Sequence, residues 1–185
     1  FDRLVALAPD FAYAYWERAV AYAELGDFES AEADARRAML MNSGHVNNFI
    51  VRGTIASLQG DAARAGREFL GVMLCSEMTR IRHDGASLGQ TVTLTMTEGR
   101  IYEVPLTLEA GQTISISAAS TQADPVISLL APDGTPVAGD DDSGFMLNSL
   151  VEDFTADTDG TYTLMVSHAG GGSEGIIAVT VLPGA

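Results

Sequence analysis

Three consecutive carboxylates, Asp140, Asp141 and Asp142, followed by Ser143 and Gly144, form the densest group of chemically active side chains in the chain. Hard oxygen donors at this density suit calcium, which takes about six to eight oxygens in flexible geometry. Asp124, Asp133 and Asp153 are further candidate donors, and a cation would relieve the repulsion among neighbouring like charges. The competing reading is a solvated acidic turn in which Asp124 and Asp133 organise the backbone through side-chain hydrogen bonds. The order of residues is not that of an EF-hand, which needs Asp-x-Asp-x-Asp-Gly and a distal Glu. Calcium is the one cofactor the residues point to.

Catalysis needs partners that the sequence does not set out. Ser143, His168 and an aspartate would make a hydrolase triad in principle, yet there is no G-x-S-x-G elbow, and His45, His83 and His168 fall in three unrelated contexts. Neither a phosphate-cradling glycine loop nor a Cys/His zinc spacing occurs. Cys75, after Val72-Met73-Leu74, reads as a buried thiol, and a lone cysteine closes no internal disulfide. The chain is expected not to be an enzyme.

The elements that position these residues divide the 185-residue chain into two halves of different charge. Residues 1–82 carry 11 acids against 9 arginines, net −2, whereas residues 83–185 carry 14 acids against Arg100 alone, net −13. The acidic half repels nucleic acid, so no nucleic-acid partner is expected. A hydrophobic content of 46% supports folded domains. No run of about 18 apolar residues could span a bilayer, and an export signal is expected upstream of Phe1.

Residues 1–74 repeat with a period of 34: Gly26-Asp27 recurs as Gly60-Asp61, Arg18 as Arg52, Asp34 as Glu68 and Met39 as Met73. Tyr15, Ala19 and Tyr22 are spaced for one helical face, as are Ala31, Ala35 and Ala38 after the turn. Each unit is therefore a helical hairpin. Gly26 and Gly60 allow the positive φ that ends one helix, and Asp27 and Asp61 cap the next. The boundary is placed near Asp84, giving 1–84 as helical repeats with linker and 85–185 as a second domain.

From Gln90 the period falls to two, with strands expected around Val92–Met96, Tyr102–Leu108, Ile114–Ile116, Val126–Leu130, Leu150–Phe154, Tyr162–Val166 and Ile177–Val181. Turns at Pro132-Asp133-Gly134, Asp159-Gly160 and Gly170-Gly171-Gly172 separate the later strands. Seven or eight short antiparallel strands mean a β-sandwich. Pro105, lacking an amide donor, is expected at an edge or bulge.

The stretches YWERAVAYAELGDFESAEADARRAM and FIVRGTIASLQGDAARAGREFLGVM resemble the tetratricopeptide repeat, the second departing at Ala56 and Phe69. The resemblance implies an α-solenoid, with further repeats expected before Phe1. It also implies a concave partner groove, onto which Tyr13, Trp16 and Val20 fall, with Asn47, Ile50 and Thr54 as their equivalents. The alternative for Trp16 is packing against a preceding repeat.

Residues 86–182 resemble the bacterial pre-peptidase C-terminal domain, through EAGQTISI at 109–116, Asp124-Pro125, Pro132-Asp133-Gly134, Asp140 to Asp142, and DGTYTL at 159–164. That implies an antiparallel jelly-roll-like sandwich, non-catalytic, appended to secreted bacterial proteins and often found beside peptidases. Some relatives bind calcium or extracellular polymers. The expected function is an extracytoplasmic protein-binding scaffold in a multi-subunit assembly, the sandwich acting as assembly or adhesion module. Alternatives are the accessory C-terminal region of a secreted hydrolase and a calcium-dependent binder of polysaccharide or matrix.

Overall fold

The computed structural model describes residues 1–75, 79–97, 99–144, 146–169 and 174–184. Five helices come first among the described residues: α1 Asp2–Leu7, α2 Ala12–Glu24, α3 Phe28–Met41, α4 Asn47–Leu58 and α5 Ala62–Leu74. The two Gly-Asp turns act as their residue types require. Gly26 and Gly60 stand at φ 78° and 76°, a backbone region open mainly to glycine. The Asp27 carboxylate accepts from the Ser30 amide at 3.1 Å, and Asp61 accepts from the Arg64 amide at 3.0 Å. Both are N-caps, satisfying amides that the first turn leaves free. Ala19, Ala31 and Ala38, all fully buried, let α2 and α3 lie close together.

An ion pair ties each hairpin and recurs at the 34-residue offset. Arg18 Nε and Nη2 donate to Asp34 Oδ2 and Oδ1 at 2.6 and 2.9 Å, and Arg52 Nη2 donates to Glu68 Oε1 at 2.5 Å.

Nine strands follow among the described residues: β1 Thr79–Arg82, β2 Thr91–Met96, β3 Arg100–Leu108, β4 Thr113–Ala119, β5 Pro125–Leu130, β6 Pro136–Asp140, β7 Ser149–Thr155, β8 Gly160–His168 and β9 Gly175–Pro183. They form a five-stranded sheet, β1-β3-β8-β5-β6, and a four-stranded sheet, β2-β9-β4-β7. Their inner faces share one core, with Met96, Val104, Ile116, Leu164, Ile177 and Val179 fully buried in it. Alternation along β2 and β4 puts polar residues on the opposite face, as a half-exposed sheet demands.

The sheets are not wholly antiparallel, because β1 pairs in parallel with β3, Thr79 opposite Arg100. The chain can return in that direction only by crossing between sheets, through β2. Neither β1 nor β6 was expected from the pattern: β1 is Thr-Arg-Ile-Arg, and β6 contains Ala138-Gly139, both weak strand signals. Pro105 is on an interior strand, β3, and at no bulge in its pairing with β8. It lies on β3 beyond the end of β1, which reaches only Glu103, and pairs with Thr163 of β8 on the other side. Its carbonyl accepts from the Ala86 amide at 3.0 Å, so its missing donor falls where no strand is paired. The turn at Gly170-Gly171-Gly172 lies outside the described residues.

Helix α5 packs on the outer face of the five-stranded sheet. Phe69, Val72 and Met73 meet Ile101, Val126 and Met165 in a core shared by helices and strands. Closest approach is at two glycines: a Cβ on Gly66 would lie 2.5 Å from the Ala138 carbonyl oxygen, and one on Gly139 would lie 2.8 Å from Gly66 Cα. Ser128 Oγ, fully buried, donates to the Gly66 carbonyl at 3.0 Å. Strand β5 is thus covered on both faces, which explains its run of buried residues from Pro125 to Leu129, whereas β2 and β4 alternate. Cys75, expected buried, is exposed, because it caps the end of α5 where the chain leaves the sheet. Among the described residues no helix is long and apolar enough to cross a membrane.

Candidate functional site

Hairpin β5–β6 places the acidic residues. Asp124 precedes β5 and Asp140 ends β6, so both stand at one end of the hairpin, while Asp133 occupies the turn at the other end. Six strand residues separate those ends by roughly 20 Å. Asp133 therefore does not join the cluster; it is exposed and accepts from the Thr135 amide at 2.8 Å, which holds its carboxyl below the usual range. Asp153 is also elsewhere, at φ 46° on β7, with its amide donating to Ser115 Oγ.

The three consecutive carboxylates have different tasks. Asp140 is buried, and its carboxylate accepts from the Ser143 amide at 3.0 Å, the Leu150 amide at 2.8 Å and Ser143 Oγ at 2.5 Å. Burial pushes its carboxyl up while these hydrogen bonds pull it down. It organises the loop. Asp124, Asp141 and Asp142 each bring one carboxylate oxygen into a group whose members lie within 4.8 Å of one another. Asp141 is 2% exposed, and Oδ1 of both Asp141 and Asp124 is buried with no hydrogen-bond partner among the described residues. Burial, reinforced by Asp142, lifts Asp124 to about 6. Burial and three neighbouring carboxylates lift Asp141 well above the ordinary range. A buried carboxylate without donors is costly unless a proton or cation accompanies it.

Ser143 is engaged with Asp140, and the three histidines lie apart. His45 faces the Trp16 ring at 4.6 Å between centroids, His83 Nδ1 is near the Gly85 backbone, and His168 is on β8 opposite Pro125.

Beside the acidic loop the helices leave a cavity of about 370 Å³. Trp16, Val20, Asn47, Ile50 and Thr54 line it, and so do Asp140, Asp142 and Ser143 from the sandwich. Trp16 is 5% exposed, its Nε1 donating to Asn48 Oδ1 at 3.0 Å while Asn48 Nδ2 donates to the Asn42 carbonyl at 2.6 Å. Its ring is thus a fixed part of the helical core with one border on the cavity. Tyr13 is outside the cavity, 47% exposed, beside Phe11. A hydrogen bond to Glu17 raises its phenol above the ordinary value. Pattern reasoning missed Glu17, Glu24, Leu58 and Phe69, which also line the cavity. The i, i+4 and i+8 spacing of Trp16, Val20 and Glu24 was the signal available.

Among solved structures, the chain is similar to PliG of Aeromonas hydrophila, a periplasmic lysozyme inhibitor of g-type lysozyme, at 15% identity and TM-score 0.41 over 57% of this chain and 97% of that one. It is similar to the pre-peptidase C-terminal domain of collagenase from Bacillus anthracis, at 17% identity and TM-score 0.44 over 57% and 97%. It is also similar to the Salmonella Typhimurium PliG, at 13% identity and TM-score 0.39 over 58% and 97%. No curated protein matches the sequence. The family described as the bacterial pre-peptidase C-terminal domain does match, at residues 105–168, from inside β3 to the end of β8. A pre-peptidase C-terminal domain is therefore present at residues 105–168, with five helices ahead of it.

Proposed function

We propose that this chain is a non-catalytic, extracytoplasmic protein-interaction scaffold. In this reading the tetratricopeptide-like helices of residues 1–84 form a short solenoid that receives a partner segment, and the jelly-roll-like sandwich of residues 85–185 is the assembly or adhesion module. The observation that supports it is the cavity between α2, α4 and the acidic loop, whose walls come from both halves. The pre-peptidase C-terminal match supports an accessory role outside the cytoplasm. A photo-crosslinking residue at Thr54, in the producing cell, is expected to trap one partner polypeptide, while the same residue at exposed Arg37 traps none. Indiscriminate adducts at both positions would overturn the reading.

The buried, donorless oxygens of Asp124 and Asp141 favour a second property, a calcium ion held by Asp124, Asp141 and Asp142. When bound, the ion supplies positive charge that replaces the missing donors and ties the start of β5 to the end of β6. Calcium is expected to raise the melting temperature relative to chelator, and an Asp141→Asn variant to lose that response. The pH sign follows from Asp124, raised to about 6 in the folded protein. In chelator, the folded state holds the proton more tightly than the unfolded chain, so the stability from this group is present at low pH. It is lost as pH rises from about 4 through about 6. Relative to Asp124→Asn, the wild type should lose stability over that window, and calcium should cancel the loss. Equal melting curves with calcium and chelator would remove calcium from the account.

A further inference from the structure

The charge of the cavity says more about its occupant than its shape does. Among the described residues every ionisable side chain on its wall is acidic: Glu17 and Glu24 from α2, Asp140 and Asp142 from the sandwich. Between them the surface is apolar, with Trp16, Ile50 and Leu58 exposing carbon to the same space. The carboxylates of Glu17, Glu24 and Asp142 around that apolar surface match a chain that carries apolar side chains between cations. They oppose an acidic segment, since like charges across an interface cost affinity. Asn47, half-buried at the cavity, adds an amide whose side chain makes no hydrogen bond among the described residues, offering a donor and an acceptor to an extended backbone.

We infer that the partner's bound segment is a cationic, apolar peptide, with arginine or lysine flanking one apolar anchor that enters beside Trp16. This rests on the partner-groove reading above and specifies its ligand. Glu24 from α2 and, in the calcium-free chain, Asp142 from the sandwich, both exposed, hold the flanking cations, and Ile50 and Leu58 receive the anchor. The net charge of −13 on residues 83–185 draws such a segment from a distance, so association weakens as salt rises.

The test is fluorescence anisotropy, in chelator so that calcium does not occupy Asp142, of the whole chain with a labelled leucine–arginine peptide and its leucine–glutamate counterpart. The arginine peptide is expected to bind and the glutamate peptide not. The triple variant Glu17→Gln, Glu24→Gln, Asp142→Asn should weaken binding about tenfold or more. A distal triple with the same change of charge, Glu29→Gln, Glu109→Gln, Asp157→Asn, should weaken it about twofold or less. Glu24→Lys alone, at an exposed position that does not threaten folding, should weaken the arginine peptide and improve the glutamate one. Equal losses from the two triples, or equal binding of the two peptides, overturn the inference. A crosslinked partner segment that is acidic overturns it while leaving the groove in place; no adduct at Thr54 and no peptide binding overturn both.

Discussion

Replacing Phe69 with alanine is expected to destabilise the protein by about 3–5 kcal/mol, the cost of removing a large, fully buried aromatic and leaving a cavity. Phe69 is 1% exposed and belongs to the core that α4 and α5 share with the outer face of the sheet. Its ring fills space opened by Gly53, where a Cβ would lie 2.6 Å from Phe69 Cε1. One repeat earlier the corresponding residue is Ala19, so the missing methyl at Gly53 and the large ring at Phe69 compensate one another. Ala56, small where Tyr22 stands 34 residues earlier, is likewise buried in this core. The volume has moved from α4 to α5, toward the sheet. Chemical denaturation measures the effect. If helices and sandwich unfold together through this core, one transition shifts; a second transition appearing in Phe69→Ala would show that the ring couples the halves. A loss below about 1 kcal/mol would mean that the site collapses freely and that the junction is not a true core.

Arg18→Ala is the second large effect, about 3 kcal/mol, the low end for orphaning one partner of a buried pair because Arg18 keeps a fifth of its side chain exposed. Both Asp34 oxygens accept from Arg18, and Arg18 Nη1 also donates to Asp2 Oδ1 at 2.8 Å. The guanidinium lies 5.6 Å from the ring centres of both Tyr15 and Tyr22. The Asp34 hydrogen bonds hold Arg18 protonated beyond its already high ordinary value. Arg18→Lys should recover little, since an ammonium offers neither the two-pronged geometry nor a planar face to the tyrosines. Removing both partners, Arg18→Ala with Asp34→Ala, should cost less than the two single losses added, because Asp34 is only 7% exposed and is worst left charged and alone. Strict additivity in that cycle would show that the pair is not coupled. The equivalent pair Arg52–Glu68 should matter less: it makes one hydrogen bond, and the Arg52 side chain is 36% exposed.

How much of this was legible without coordinates depends on the range of the interaction. The hairpin turns were legible because Gly26, Asp27, Gly60 and Asp61 act on backbone within three residues of themselves. The recurrence of Arg18 with Asp34 and of Arg52 with Glu68 was visible as matched positions at an offset of 34, and each proved to be an ion pair. That Asp124 and Asp140 share one end of a hairpin while Asp133 takes the other depends on β6, whose Ala138-Gly139 gives only a weak strand signal after the Pro132-Asp133-Gly134 turn. Asp140 and Asp141 are both buried, and hydrogen bonding divides the first, which has three donors, from the second, whose Oδ1 has none; no local pattern distinguishes two adjacent aspartates.

From its own residues, then, the chain determines helical hairpins in its first part, strands in its second, a turn at Pro132-Asp133-Gly134 and an acidic stretch from Asp140 to Asp142. These depend on periodicity, glycine conformation and capping, all encoded within a few residues. Only the tertiary structure decides that α5 lies on the sheet with Gly66 against Gly139, that β1 joins β3 in parallel, and that Trp16 is held by Asn48 while Asp142 faces the same cavity. An apolar stripe records that a face must be covered and is silent about what covers it. Gly66 and Gly139 are 73 positions apart, and that pairing is selected by the fit of two surfaces that exist only after each half has formed.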